Sequence, residues 1–292
     1  MSAALPAEAA PKPAAEVRVA RGWPATAKFG AGVVVVLVVT AVFAPWLSPY
    51  DPNALQLPNQ FALPSAAHWL GTGNNGIDVL SHIIYGARVS LIVGGSAVAI
   101  SLSVGSVLGA IAGYAGGWFD GLLMRVVDVL LAFPGILLAI FITAVLGPSL
   151  WNVVFALSFG GWTGYARLVR GEVRALRDRE FVLAARSMGA GPARIVFGHL
   201  LPNVAGPLLV QATFGLPGAI LTEASLSFLG LGVPPGTPSW GALADEGCTY
   251  LLKAPHLAIF PGLAIAITVL GFNFLGDALR DRFDPKGAGG RG

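Results

Sequence analysis

Residues able to do covalent chemistry are sparse in this chain, and none sits in a catalytic pattern. Four histidines, His68, His82, His199 and His256, lie far apart and show no metal-ligand spacing. Neither H-E-x-x-H nor G-x-S-x-G occurs, so metallohydrolase and serine-nucleophile chemistry have nothing to build on. The single cysteine, Cys248, excludes an internal disulfide framework and a Cys-rich metal site. A P-loop needs G-x-x-x-x-G-K-[ST], whose backbone amides and lysine surround phosphates. The lysines are Lys12, Lys28, Lys253 and Lys286, and none follows a glycine. The expectation is no catalytic residue, no metal and no cofactor held by this chain.

What remains is charge in unusual places. Residues 169–202 hold six arginines: Arg170, Arg174, Arg177, Arg179, Arg186 and Arg194. Glu223 stands in an otherwise apolar stretch. An ionisable group there is costly and faces the bundle interior or a cavity, so it reads either as a contact on a pathway or as a buried hydrogen bond to a neighbouring helix. Asn273 is a second possible pathway residue; four positions before Asp277, it reads more readily as fixing helix contacts. Arg125 and Asp128, three apart, are spaced to pair on one helix face.

The elements that position these groups follow from composition. Of 292 residues, 55% are hydrophobic and 11% charged, against about 25% charged in an average soluble domain. A soluble sphere of this size cannot hide that much apolar surface, and a disordered chain needs the opposite composition. Long apolar runs cover about 29–47, 89–114, 122–146, 150–168, 204–231 and 257–279. Each approaches the roughly 20 residues a helix needs to cross a bilayer, and the runs are too long for barrel strands. The fold class is therefore all-α and polytopic, with six transmembrane helices. Pro134 and Pro217 are expected to kink their spans. Gly105, Gly109 and Gly113 recur every four residues, a small-residue seam for close helix packing, either within the subunit or against a second one.

Positive charge sets the orientation. With 1–28, 115–121, 169–202 and the tail after 279 inside, only Arg88 and Lys253 of the 18 Lys and Arg lie outside. Both termini are then cytoplasmic, and the net charge of +3 reports topology rather than nucleic-acid binding. The first apolar run is longer than a signal-peptide h-region and reads as an uncleaved anchor. The organisation expected is a disordered cytoplasmic tail over 1–27, then a first span and external loop over 28–84. A five-helix core over 85–286 carries the inner loop 169–202, and 287–292 is a flexible end. Two external segments, about 48–88 and 232–256, read as connecting loops, or as a docking surface or cap, with Trp69, Trp240 and Tyr250 as candidate interfacial anchors.

The inner loop is the most informative stretch. Phe181, Ala184, Ala185 and Met188 fall at i, i+3, i+4 and i+7, one apolar helical stripe. Gly189 follows where a left-handed glycine ends a helix, and Pro192 suits a first helical position. Pro192, Ile195, Val196 and His199 repeat the spacing, and Pro202 is expected to close that second helix. Two short amphipathic helices joined by a glycine elbow can lie on the lipid headgroups, pack on the bundle ends, or dock into a groove of a cytoplasmic partner.

The run AARSMGAGPARIVFGHLLP resembles the EAA loop of ABC importer permeases, of the form E-A-A, three residues, G, nine residues, I-x-L-P. Ala184, Ala185, Gly189, Leu201 and Pro202 match the pattern; Leu183 stands in place of the glutamate and His199 in place of the isoleucine. The peptide-transport branch often lacks that glutamate. HWLGTGNNGIDVLSHIIYGARVSL (68–91) is similar to that branch's LGTDxxGRDVLSRxxxGARxSL, with Gly73, Ile77 and His82 replacing Asp, Arg and Arg. EASLSFLGLGVPPGTPSWG (223–241) and GFNFLGDALRDRFDPK (271–286) resemble its end. The resemblance covers roughly 28–286 and is to the C-type permease subunit of dipeptide, oligopeptide or nickel importers.

It implies a type I importer permease fold in a bacterial inner membrane. The implied partners are a second homologous permease, two ATPase subunits that use ATP and Mg, and an extracytoplasmic substrate-binding protein. It implies that Phe181, Ala184, Ala185, Arg186, Met188, Gly189, Arg194, Ile195 and Pro202 form the ATPase-coupling loop. A stand-alone secondary transporter or channel is the alternative, but no internal repeat supports it and it leaves the inner loop unexplained.

Overall fold

The computed structural model describes residues 23–283. The tails expected to be disordered thus lie outside the described residues, apart from 23–27 and its first helical turn. Among the described residues all regular structure is helical, with one isolated bridge between Thr72 and Asp78. In chain order the helices are α1 (Ala25–Val42), α2 (Ala44–Leu47), α3 (Val79–Ala115), α4 (Gly117–Ala132), α5 (Gly135–Leu146) and α6 (Leu150–Leu176). Then come α7 (Glu180–Ser187), α8 (Pro192–Ile195), α9 (Leu201–Phe228), α10 (Trp240–Thr249) and α11 (His256–Phe283).

The centre is the pair α3 and α6, and the glycine seam explains their closeness. A methyl group at Gly105 would lie 2.5 Å from the Trp162 carbonyl oxygen, and one at Gly113 would lie 2.8 Å from that of Arg170. Gly109 meets the backbone of Ala166 in the same way. In lipid there is no hydrophobic gain between apolar helices, so close van der Waals packing of this kind supplies the attraction. The seam therefore packs inside the subunit. α9 and α11 close the bundle, and α1 lies outside them, with Gly30 against the backbone of Gly271. The outer faces of α1 and α5 are apolar and exposed, as lipid or another apolar surface requires.

Length and composition qualify four helices to cross a membrane: α1, α3, the continuous Pro192–Phe228 rod and α11. A fifth is the α4–α5 pair, bent by 85°. Pro134 makes that break, because it holds Phe133 extended (φ −87°, ψ 134°) and cannot continue the ladder. It is a corner rather than the kink expected. Pro207 and Pro217, by contrast, lie inside an unbroken α9. α6 has the length to span but is diluted by Asn152 and glycines on one side and by Arg167, Arg170 and Arg174 on the other.

Candidate functional site

The end of the bundle that carries the 169–202 loop is built on α6, which runs to Leu176 before α7 begins at Glu180. α7 begins at Glu180 and carries Arg186 in its last turn, charges that oppose the helix dipole at each end. Its end is a Schellman turn: Ala190 N donates to Ala185 O at 3.0 Å, and Gly189 N donates to Arg186 O at 3.0 Å. Gly189 sits at φ +83°, a conformation that a side chain disfavours. Pro192 then opens α8.

α7 presents two apolar faces. Val182 is buried in a core with Val173, Ile195, Val196 and Leu200, and Ala185 is buried as well. Burying a valine or isoleucine side chain contributes about 1.5–3 kcal/mol each, enough to hold the short helix on the bundle. The other face is exposed: Phe181 40%, Leu183 46% and Met188 82%, with Ala184 beside them. The stripe expected from spacing thus divides, since only Ala185 of its four members points inward. Val182, absent from that stripe, does the packing. An apolar arc on a short helix fits either face; contact with Ile195 decides which.

The second helix also differs from expectation. Pro202 does not end it. Val196–Leu200 form a π turn, and Leu201 N bonds back to Val196 O, so α8 runs on into α9. A proline lacks an N–H and clashes with the carbonyl four residues back; the widened turn before Pro202 relieves both problems. Ile195 is buried and Arg194 exposed.

Arginines fasten this end. Arg170 grips Asp120 with two nitrogens, one at 2.7 Å, and Arg174 approaches it at 3.7 Å, tying α6 to α4. Arg186 reaches Tyr114 at the end of α3, with its guanidinium 5.8 Å from the ring centre. Asp128 pairs at 2.8 Å with Arg167 of α6 rather than with Arg125 of its own helix. These ties join neighbouring helices where the sequence spacing suggested a local pair.

A groove of about 370 Å³ opens between α3, α5, α6 and α9. Its polar lining is Ser101, Tyr165, Gln211 and Thr222, among glycines and aliphatic side chains. No acid or base lines it. Glu223 is not part of it. That side chain is fully buried and accepts hydrogen bonds from Ser227 (2.8 Å), Ser239 (3.0 Å) and Ser90 (3.1 Å). Asn273 is half-buried on α11, Asp277 is exposed, and neither side chain takes part in a hydrogen bond among the described residues. Neither of the two residues singled out for a pathway borders the groove.

The external segments form a tied cap. Asp78 caps α3 by accepting from Ser81 N at 2.8 Å, and holds His68 at 2.8 Å; both side chains are buried. His256 meets Thr72 O at 3.1 Å, and Tyr50 Oη donates to Ala67 O at 2.8 Å. Glu246 of α10 accepts from Asn74 N across the cap. Burial pushes the Glu246 carboxyl above its ordinary pKa, and the Asn74 bond pulls the other way. Gly73 lies against Glu246, where a methyl group would sit 2.8 Å from the carboxylate oxygen, so an aspartate at 73 would oppose it. Of the three expected anchors, Trp69 is exposed, but Trp240 is buried and Tyr250 packs on Phe61. Trp240 Nε1 donates to Ile83 O at 2.9 Å over Gly86, a partner 157 positions away that no local pattern reveals. Among the described residues, no three His, Cys, Asp or Glu side chains gather to hold a metal.

Residues 105–288 match the family described as binding-protein-dependent transport system inner membrane component, and residues 25–64 match the N-terminal TM domain of oligopeptide transport permease C. A dipeptide transport system permease protein of Alkalihalophilus pseudofirmus is 45% identical over 254 residues, covering 87% of this chain and 84% of that one. Glutathione transport system permease proteins of Shigella dysenteriae serotype 1 and Escherichia coli O6:K15:H31 are each 46% identical over the same shares. The chain belongs to the binding-protein-dependent transport system inner membrane component family, as a non-catalytic, multi-pass permease subunit of ABC importers in the C-type dipeptide and oligopeptide branch.

Proposed function

We propose that this subunit forms half of the translocation pathway for peptides, di- or oligopeptides and their close relatives such as glutathione. It works by alternating access with a second homologous permease. Two ATPase subunits drive it with ATP and Mg, and an extracytoplasmic binding protein delivers substrate to the cap. α1, α3, α4–α5, α6, α8–α9 and α11 are its six crossings, with both termini cytoplasmic, an arrangement supported by where the arginines lie.

The observation that carries this reading is α7. A short helix held by Val182 and Ala185 exposes Phe181, Leu183 and Met188 at the end rich in arginine. Apolar exposure of that kind on the aqueous side fits a helix laid in a partner's groove. The groove supports the pathway. Uncharged walls with a few hydroxyl and amide groups can exchange hydrogen bonds with any peptide backbone and do not favour one side-chain charge. The relatives' substrates, dipeptides and glutathione, share the amide bond.

The test is a mild-detergent pull-down of the tagged chain from its native membrane, with mass spectrometry of what co-purifies. Recovery of a second permease and P-loop ATPases is expected. Recovery of the chain alone, intact and monodisperse, would overturn the reading in favour of a stand-alone transporter or channel.

A further inference from the structure

Glu223 is a fully buried carboxylate, and among the described residues it forms no ion pair. Three serine hydroxyls hold it, and they come from three different helices or their ends. Ser90 belongs to α3 and Ser227 to α9 itself. Ser239 is the N-cap of α10: its oxygen accepts from Gly241 N at 3.2 Å while its hydroxyl donates to Glu223. A carboxyl group held by three serine hydroxyls in a dry interior is a more directional joint than apolar contact. The backbone comes as close as the polar groups do, because Gly241 lies directly on the backbone of Ala224. Trp240 then pins the same point to α3.

This joint has a place in the length of the molecule. The Pro192–Phe228 rod is 37 residues long, about 55 Å at 1.5 Å per residue. Its inner end is buried against α7 through Ile195 and Val196, and Glu223 lies near its outer end. α10 leads from the joint to the cap through Glu246 and Asn74. We propose that Glu223 is a positioning residue that locks α10, and with it the external cap, to the outer end of the α8–α9 rod, so that motion of the α7 loop reaches the cap as rigid-body displacement.

The proposal rests on the importer reading, and its test separates the two. Hydrogen exchange is followed by mass spectrometry on the co-purified complex in nanodiscs, with and without ATP, Mg and vanadate. The peptide over 180–195 reports the loop and the peptide over 240–249 reports α10. In the wild type both change on ATP, α10 by about tenfold in rate. In S239A the loop still responds and α10 does not, whereas S239T and E223Q, which can keep the link, restore the α10 response. If S239A raises α10 exchange equally in both states and leaves the ATP-dependent increment intact, Ser239 and Glu223 only stabilise the helix and the proposal fails. If ATP leaves the 180–195 peptide unchanged in the wild type, the importer reading itself falls, and the proposal falls with it.

Discussion

The two aqueous ends of the molecule are built in opposite ways. The cap of segments 48–88 and 232–256 is closed upon itself by buried or half-buried polar side chains: His68 on Asp78, Asp78 on Ser81, His256 on Thr72, Glu246 on Asn74. The arginine-rich loop is held by aliphatic contacts, Val182 against Ile195 and Leu200 with Ala185 also buried, and leaves Phe181, Leu183 and Met188 exposed. Polar networks specify one arrangement and tolerate little; an apolar face left open is unfinished without a partner. The cap therefore has the construction of a closed surface, while the loop keeps an open apolar face, the one the proposed function gives to an ATPase.

That contrast is broken most severely at Asp78. D78A removes the α3 cap and leaves His68 and Ser81 without their partner, at a cost of about 2–4 kcal/mol. Thermal unfolding of the purified subunit should show a clear loss of stability, with low recovery from membranes. M188E should do the reverse. The side chain is exposed, so the fold survives with an unchanged melting profile, yet a charge aimed at an apolar groove weakens ATPase retention by about 100-fold in the pull-down. If M188E instead unfolds the subunit, the loop is not an open half-interface. R186A tests the fastening rather than the face: losing one exposed tie to Tyr114 should reduce retention by about twofold, without loss of the subunit.

The smallest effect concerns Glu246, a cap carboxyl whose charged form burial disfavours. Because Glu246 is raised in the fold above its unfolded value, the folded state holds the proton more tightly. Cap stability contributed by this group is therefore present at low pH and falls as pH rises through the folded pKa. E246Q keeps an oxygen for Asn74 N and removes the charge. It should raise the melting temperature near neutral pH by about 2 °C and flatten the acid-side slope. A lower melting temperature at neutral pH would show that the charge itself, and not the hydrogen bond, holds the cap.

Legibility in the sequence followed the range of the interactions. The uncharged runs and the left-handed turn at Gly189 rest on lipid as solvent or on neighbours within a few residues, and are visible locally; the spacing of Gly105, Gly109 and Gly113 is visible too, but not that its partner is α6. The side chains' partners across the fold were not. Trp240 looked like an anchor because its acceptor, Ile83 O, is remote in sequence. Phe181 and Val182 are adjacent and equally apolar, and only the position of Ile195 decides which turns inward. Pro134 and Pro217 carry the same residue signal, yet one makes an 85° corner and the other lies within a helix. For Glu223, burial was legible from its apolar surroundings, but the serine partners from α3 and α10 were not. Nor was the groove, because Ser101, Tyr165, Gln211 and Thr222 come from three separate helices.

The most direct test of the central contrast places one photoreactive probe at each end, p-benzoylphenylalanine at Phe181 and, in a second variant, at Trp69 on the exposed outer cap. Irradiation of intact cells, followed by mass spectrometry of the adducts, should capture a P-loop ATPase from position 181 and none from position 69. A probe at 181 that labels only lipid or another copy of the bundle, while the subunit is folded and in the membrane, would contradict the assignment of α7 as the ATPase dock.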